Sequence, residues 1–358
     1  MLDRPPSGAG KANGAADKAD PTFERTLAGY RDLTTRALLN SLPPRGPPYL
    51  YDLVSDYPGR GGKGLRAALC LATCGAFGGR ERRALPIAVA IELFHNGFLI
   101  HDDVQDASLS RRGGDTLHRA YGTGIAINVG NATNLLGLRR VMETRSRYGP
   151  TTSFALTEET ECMMRHSLEG QAIELAWIRD NVCRLKPDDY LRMCLKKTSW
   201  YSFIYPMRAG AIIARGGPLE AKRFSRFGWY FGAAFQIQDD LLNLTGDFAK
   251  YGKELRGDLA EGKRTLMLIH LLNACTARER KELRRFLAKP REKRSAAQIA
   301  EVYAQMLDYG SLEFARRSAR QLAGAALLEG ATALRGLADS PQKRFILQMI
   351  MYVVDRDR

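Results

Sequence analysis

Apolar residues recur at three- and four-residue spacing through most of the chain, and strand-like alternation is scarce, so the pattern predicts an all-α fold. Helices are expected over Phe23–Leu42, closed by the breaker run Pro43–Pro48, and over Lys63–Phe77 after a glycine-rich turn at Gly59–Gly62. A strongly apolar helix over Arg83–Asp106 leads into a polar loop, Ala107–Asp115. Further helices are predicted at Gly122–Arg147, Ser153–Ile178, Pro187–Arg215 and Pro218–Leu244. Gly246, Gly252, Gly257 and Gly262 then interrupt Thr245–Gly262, after which helices resume and the last ends near Val354. Residues Met1–Pro21 lack apolar periodicity and read as a disordered tail. Residues 22–358 are left as one large helical domain.

A net charge of +15 fits a nucleic acid, an anionic membrane or a phosphorylated substrate. Much of the excess falls in Ala277–Arg294, where acids and bases alternate as on a solvated face, so no nucleic acid partner is expected. The six cysteines show no zinc-like spacing, and Cys70 and Cys74 sit one turn apart in an apolar run, as buried thiols do. No signal peptide stands out and charge interrupts the apolar stretches, which suggests a cytoplasmic protein without stable membrane insertion.

The chemistry concentrates at two helix ends. Asp102, Asp103 and Asp106 close the Arg83–Asp106 helix and crowd one face, where their mutual repulsion invites a hard cation. Removing one should relieve that repulsion and leave the fold intact. Asp239 and Asp240 end a second apolar helix, with Asn243 one turn on. Two such ends could face each other across a bundle and hold metal ions and a diphosphate. Arg111, Arg112, Lys253 and Lys263 follow the two motifs, and Lys63 and Arg66 follow a glycine turn near a helix N-terminus. Together they suit two phosphorylated groups. His95 shares a helical face with Asp102. His101-Asp102 also fits a histidine–aspartate phosphohydrolase pair, but His118, His166 and His270 are not spaced to complete one.

These residues resemble the trans-isoprenyl diphosphate synthases. Gly61-Gly62-Lys63-Gly64-Leu65-Arg66 looks like the family's GGKxLR motif, and Glu92–Asp106 with Arg111-Arg112-Gly113 like its first aspartate-rich region. Gly170-Gln171, Lys197-Thr198, Phe235–Asp240 and Gly252–Thr265 match later blocks in order, so the resemblance runs from about Phe23 to the C-terminus. It implies an isoprenoid synthase bundle of about ten core helices around a deep cavity, working as a homodimer. It implies a geranylgeranyl diphosphate synthase-like prenyltransferase with Asp102, Asp103, Lys197 and Asp239 as catalytic residues. Three magnesium ions would be held by Asp102, Asp103, Asp106 and Asp239, with Asp240 nearby. Arg111, Lys197, Thr198, Gln236, Lys253 and Lys263 would hold an allylic diphosphate; Lys63, Arg66, His95 and Arg112 would hold isopentenyl diphosphate. Three positions depart from the family pattern: Asn243 replaces a third aspartate, Glu174 an aspartate, and Asn131 another aspartate.

Two other readings share parts of this pattern. A class I terpene cyclase uses the same metal chemistry without a second diphosphate site, and a regulatory subunit of a heteromeric synthase would be expected to lose an aspartate motif. Product length has its own signature. Phe98 and Phe94 lie one and two turns before Asp102, where a growing tail would run, and in the resembling family the fourth and fifth residues before the first aspartate form the floor. Here those are Phe98 and Gly97, one closed and one open position, which favours geranylgeranyl diphosphate over farnesyl or longer products.

Overall fold

The computed structural model describes residues 21–217, 222–246 and 254–354. Lys253 and the proposed tail lie outside these, apart from Pro21, which opens the first helix. The principal helices are α1 (Pro21–Leu39), α2 (Leu65–Ala76), α3 (Leu85–Gln105), α4 (Thr123–Met142) and α5 (Pro150–Arg179). They continue with α6 (Pro187–Cys194), α7 (Tyr205–Arg215), α8 (Phe224–Thr245), α9 (Leu266–Ala274) and α10 (Ala277–Leu287). The last three are α11 (Ala296–Asp308), α12 (Ser311–Ala333) and α13 (Pro341–Val354). The all-α expectation holds, although the boundaries shift.

α3 is the axis of the fold. It packs along α4 on one side and α2 on another, and it is apolar nearly all round, as a helix enclosed by others must be. The stretch Glu81–Gln105 is long and apolar enough by composition to cross a membrane, contrary to the sequence expectation, yet 67% of its apolar window is buried inside the fold. Burial against neighbouring helices accounts for its hydropathy. Three apolar clusters fill the interior: one beneath α1, α3 and α4, one joining α1, α2 and α3 to α7, α8 and α13, and one away from α3 beneath α6 and α8–α12.

Local backbone devices set the site. Gly64 takes a left-handed φ of +65°, so the predicted helix start at Lys63 moves to Leu65 and Lys63 stays in the turn. The polar loop after α3 contains a hairpin, with Ser110–Arg111 paired antiparallel to Gly114–Asp115. Its two turn residues, Arg112 and Gly113, both have positive φ (52° and 76°), the geometry that matches strand twist in a two-residue hairpin. That turn sends Arg111 and Arg112 toward different partners.

The predicted single helix Pro187–Arg215 is interrupted by a π-helical segment, Leu195–Ile204. Pro206 follows it and lacks the N–H that an α-helix would donate to Ser202, which favours the wider spiral. The segment is wedged between α5 and α8 at glycines. A Cβ at Gly170 would collide with the Lys197 backbone, and one at Gly232 with Ser199. Gly170→Ala is therefore expected to lower stability by about 1–3 kcal/mol and to reduce turnover by displacing Lys197. Thermal melting and steady-state kinetics of that variant check it; an unchanged Tm would show that the wedge is loose.

Candidate active site

α3, α8 and the π segment converge on one cavity of about 320 Å³. α3 contributes Glu92, His95, Leu99 and Asp102, and α8 contributes Phe235, Gln236, Asp239 and Asp240. The π segment adds Lys197, Thr198 and Tyr201; the turn before α2 adds Lys63, with Arg66 from its first turn. The hairpin supplies Arg111 and Arg112, and Lys263 enters from the segment before α9. All the diphosphate ligands expected from sequence, Lys253 aside, therefore line one chamber.

The aspartates do not gather as the sequence suggested. Among the described residues no three Asp, Glu, His or Cys side chains converge on a metal-sized point. Each carboxylate has been drawn to a different donor, because repulsion between them is relieved by the nearest cation. Asp103 is 1% exposed and accepts from Arg111 Nε at 3.0 Å and from Tyr57 Oη at 2.6 Å. Asp106 faces Lys263 Nζ at 2.7 Å. Asp240 accepts from Tyr190 Oη and Gln236 Nε2, each at 2.7 Å. Asp102 meets Lys197 Nζ at 3.3 Å, and Lys197 is also paired with Glu174.

Burial amplifies these pairings. It works against the charge on Arg111, but the Asp103 carboxylate outweighs it and raises the guanidinium pKa. Lys263 and Lys197 are raised in the same way, burial being overcome by Asp106 and Glu261 for the first and by Asp102 and Glu174 for the second. Desolvation pushes the Asp106 carboxyl up despite Lys263. Arg112 goes the other way: burial lowers its pKa, and neighbouring Arg111 and Arg66 add to the fall against the pull of Glu92. Arg66 reaches Tyr201 Oη and Ser202 Oγ at 3.1 Å and His95 Nε2 at 3.3 Å. Two crowded guanidiniums beside a lysine turn make a place that an anion would relieve.

An oxygen-only donor set suits magnesium, which binds through one or two carboxylates and completes its shell with water and phosphate oxygens. Asp102 and Asp239 line the cavity from different helices and fit that role; Asp103 and Asp240 have both oxygens engaged by protein donors.

The departures and alternatives resolve locally. Asn243 Oδ1 accepts from Asp258 N at 3.1 Å, and its carbonyl from Arg256 N at 2.7 Å, so it ties down the segment that carries Lys263. Buried Arg264 and Arg294 hold the same segment by donating to the carbonyls of Gly262 and Ala260. Glu174 lines the cavity and pairs with Lys197, whereas Asn131 is exposed on α4. His101 points at the Ile127 carbonyl on α4, which removes it from a phosphohydrolase-type pair with the cavity.

The chain-length residues divide. Phe98 packs edge-to-face on Tyr201, which lines the chamber, with centroids 5.4 Å apart. Phe94 instead points into the α3–α4 contact, where its ring fills the space left by Gly137. The opening expected at Gly97 is filled by the Asn134 side chain, because that side of α3 faces α4. Glu92, Tyr57, Tyr190, Tyr201 and Glu261 were not singled out from sequence. They stand alone in apolar or mixed runs with no pattern to mark them.

The chain belongs to the polyprenyl synthetase family, whose model matches residues 47–306. It is 33% identical to a geranylgeranyl diphosphate synthase of Sulfolobus acidocaldarius, covering 73% of this chain and 79% of that one. It is 29% identical to the octaprenyl diphosphate synthase of Escherichia coli, over 83% and 87% of the two chains. Its fold is similar to the crystal structure of a geranylgeranyl pyrophosphate synthetase from Pyrococcus horikoshii, with a TM-score of 0.80, 28% identity and coverage of 94% and 98%. The protein is a chain-elongating prenyltransferase.

The ion pairs revise one expectation. Asp102→Ala should lose about a hundredfold or more in turnover with its Tm preserved, since Asp102 is partly exposed. Asp103→Ala should lose stability as well, by about 3–5 kcal/mol, because it leaves Arg111 buried without its carboxylate. Kinetics and melting of both variants decide this; equal Tm values would contradict it.

Proposed function

We propose that the cavity joins isopentenyl diphosphate to an allylic diphosphate and releases geranylgeranyl diphosphate as its main product. The observation that carries this reading is the presence of two basic clusters on one chamber. Lys63, Arg66, His95 and Arg112 form one, while Arg111, Lys197 and Lys263 form the other beside Asp102 and Asp239. A cyclase would need only the second cluster, and a regulatory subunit would need neither aspartate pair.

Magnesium ions, three by family resemblance, would be held by Asp102, Asp239 and Asp106 together with the diphosphate, and would supply Lewis-acid stabilisation of the leaving group. The chain's own cations share that work: Lys197 and Lys263 exchange their carboxylate partners for diphosphate oxygens as negative charge develops there, while Arg111 stays on Asp103 and offers its remaining N–H groups. Thr198 and Gln236, hydrogen-bonded to each other at 2.7 Å, fix the polar edge of the allylic site. Leu99, Met193, Tyr201 and Phe235 line the chamber with apolar surface that keeps water from the allylic cation. Arg66 and His95 orient the second substrate so that its double bond faces that cation.

A homodimer accords with α4, which exposes Ile127, Leu135, Leu138 and Met142 along one stripe, Leu135 being 66% and Met142 65% accessible. The burial of α3 inside the bundle accords with a protein that works in the aqueous phase.

Product chromatography with labelled isopentenyl diphosphate and each allylic primer in turn tests the reaction. Geranylgeranyl diphosphate should accumulate, and a hydrocarbon formed from geranylgeranyl diphosphate alone would favour the cyclase. Lys63→Ala, Arg66→Ala and His95→Ala should each raise KM for isopentenyl diphosphate about tenfold, and more than KM for the primer. A rise confined to the primer would mean the two sites are exchanged. Phe98→Ala should lengthen the product by at least one isoprene unit, because Phe98 backs Tyr201 on the chamber wall. An unchanged product distribution would place the floor elsewhere.

A further inference from the structure

In each aspartate pair one carboxylate opens on the chamber and the other has both oxygens held by protein donors, Asp103 behind the wall and Asp240 at its edge. Asp102 and Asp239 line the cavity. Their sequence neighbours Asp103 and Asp240 are 1% and 6% exposed, and each accepts a hydrogen bond from a phenol that is itself 1% exposed. Tyr57, in the helical turn Asp56–Gly59, donates to Asp103 Oδ2 at 2.6 Å and accepts from Leu117 N at 3.3 Å. Tyr190, on α6, donates to Asp240 Oδ2 at 2.7 Å. The other carboxylate oxygen of each pair is engaged from within the site, by Arg111 at Asp103 and by Gln236 at Asp240. The same division of labour therefore occurs twice, on two helices far apart in sequence.

We propose that Tyr57 and Tyr190 are positioning residues, acting through Asp103 and Asp240 to fix the last turns of α3 and α8 and so the places of Asp102 and Asp239. The proposal rests on the reading of the chamber as a magnesium–diphosphate site. A phenol suits this role better than a cation. It donates to the carboxylate without neutralising it, so the site keeps its negative charge for metal. Burial holds both phenols in their protonated, donating form. Each hydroxyl also orients what lies on the opposite carboxylate oxygen, which is Arg111 in one motif and Gln236 in the other. Loss of either hydroxyl should loosen a carboxylate and a substrate-facing donor together.

The test uses the full chain with Tyr57→Phe and Tyr190→Phe, which keep the ring and remove only the hydroxyl. Tyr30→Phe is the control: Tyr30 is also buried and donates to a carboxylate, Glu81 Oε1, at 2.8 Å, but it lies outside the chamber. Calorimetric titration with inorganic diphosphate in the presence of magnesium is read beside the Tm and the magnesium midpoint for turnover. Tyr57→Phe and Tyr190→Phe should each weaken diphosphate binding about tenfold and raise the magnesium midpoint. Tyr30→Phe should lower the Tm alone. If the two site variants lower the Tm as Tyr30→Phe does, with affinity and midpoint unchanged, their role is structural only and the proposal is overturned. Each tyrosine is decided by its own variant, so failure of one to fold leaves the other to decide. Wild-type protein that binds no diphosphate with magnesium would overturn the reading of the chamber itself, an outcome separate from the comparison of variants.

Discussion

The structure depends on charges that are held apart from water and matched to one another around a chamber meant for more charge. Asp103 with Arg111, Asp106 with Lys263, and Asp102 and Glu174 with Lys197 are buried or half-buried pairs. Such pairs contribute little net stability, since desolvation offsets most of their attraction, yet breaking one by truncation is costly. Their value lies in preorganisation. The cations that a diphosphate needs are already fixed in place, and the two lysines need only change partners.

That arrangement is delivered by a few backbone choices. The left-handed Gly64 keeps Lys63 off the helix, and the hairpin turn at Arg112 and Gly113 separates two adjacent arginines so that each serves a different cluster. The π segment, pressed on Gly170 and Gly232, brings Lys197, Thr198 and Tyr201 to the wall. Asn243, Arg264 and Arg294 fix the segment bearing Lys263 from behind. The chemistry is concentrated at helix ends and irregular segments, while the straight helices provide the dry interior.

The helical class and the two acidic helix ends were legible because both are written in local spacing: apolar periodicity, and carboxylates one turn apart on a single face. Family resemblance then supplied the roles of isolated residues such as Lys197 and Gln236, which spacing alone would not have marked. Other features depend on contacts distant in sequence. Nothing near Tyr57 or Tyr190 announces a bond to an aspartate 46 or 50 residues away. The side of α3 that Gly97 faces was misjudged because helical counting gives the angle between residues but not which neighbour lies there. The π segment was missed because proline and close glycine packing widen a helix only when its neighbours are in place. The expectation that the fold survives loss of Asp103 as it does loss of Asp102 is revised for a related reason, since the arginine partner of Asp103 comes from the hairpin.

The central claim is that the chamber's cations exchange carboxylates for diphosphate oxygens. A crystal structure of the protein with magnesium and inorganic diphosphate tests this most directly. It should find the Lys197 and Lys263 ammonium groups on diphosphate oxygens, no longer on Asp102 and Asp106, with Asp103 still bound to Arg111 and Tyr57. Diphosphate bound in the chamber while both lysines keep their present carboxylate partners would contradict the account.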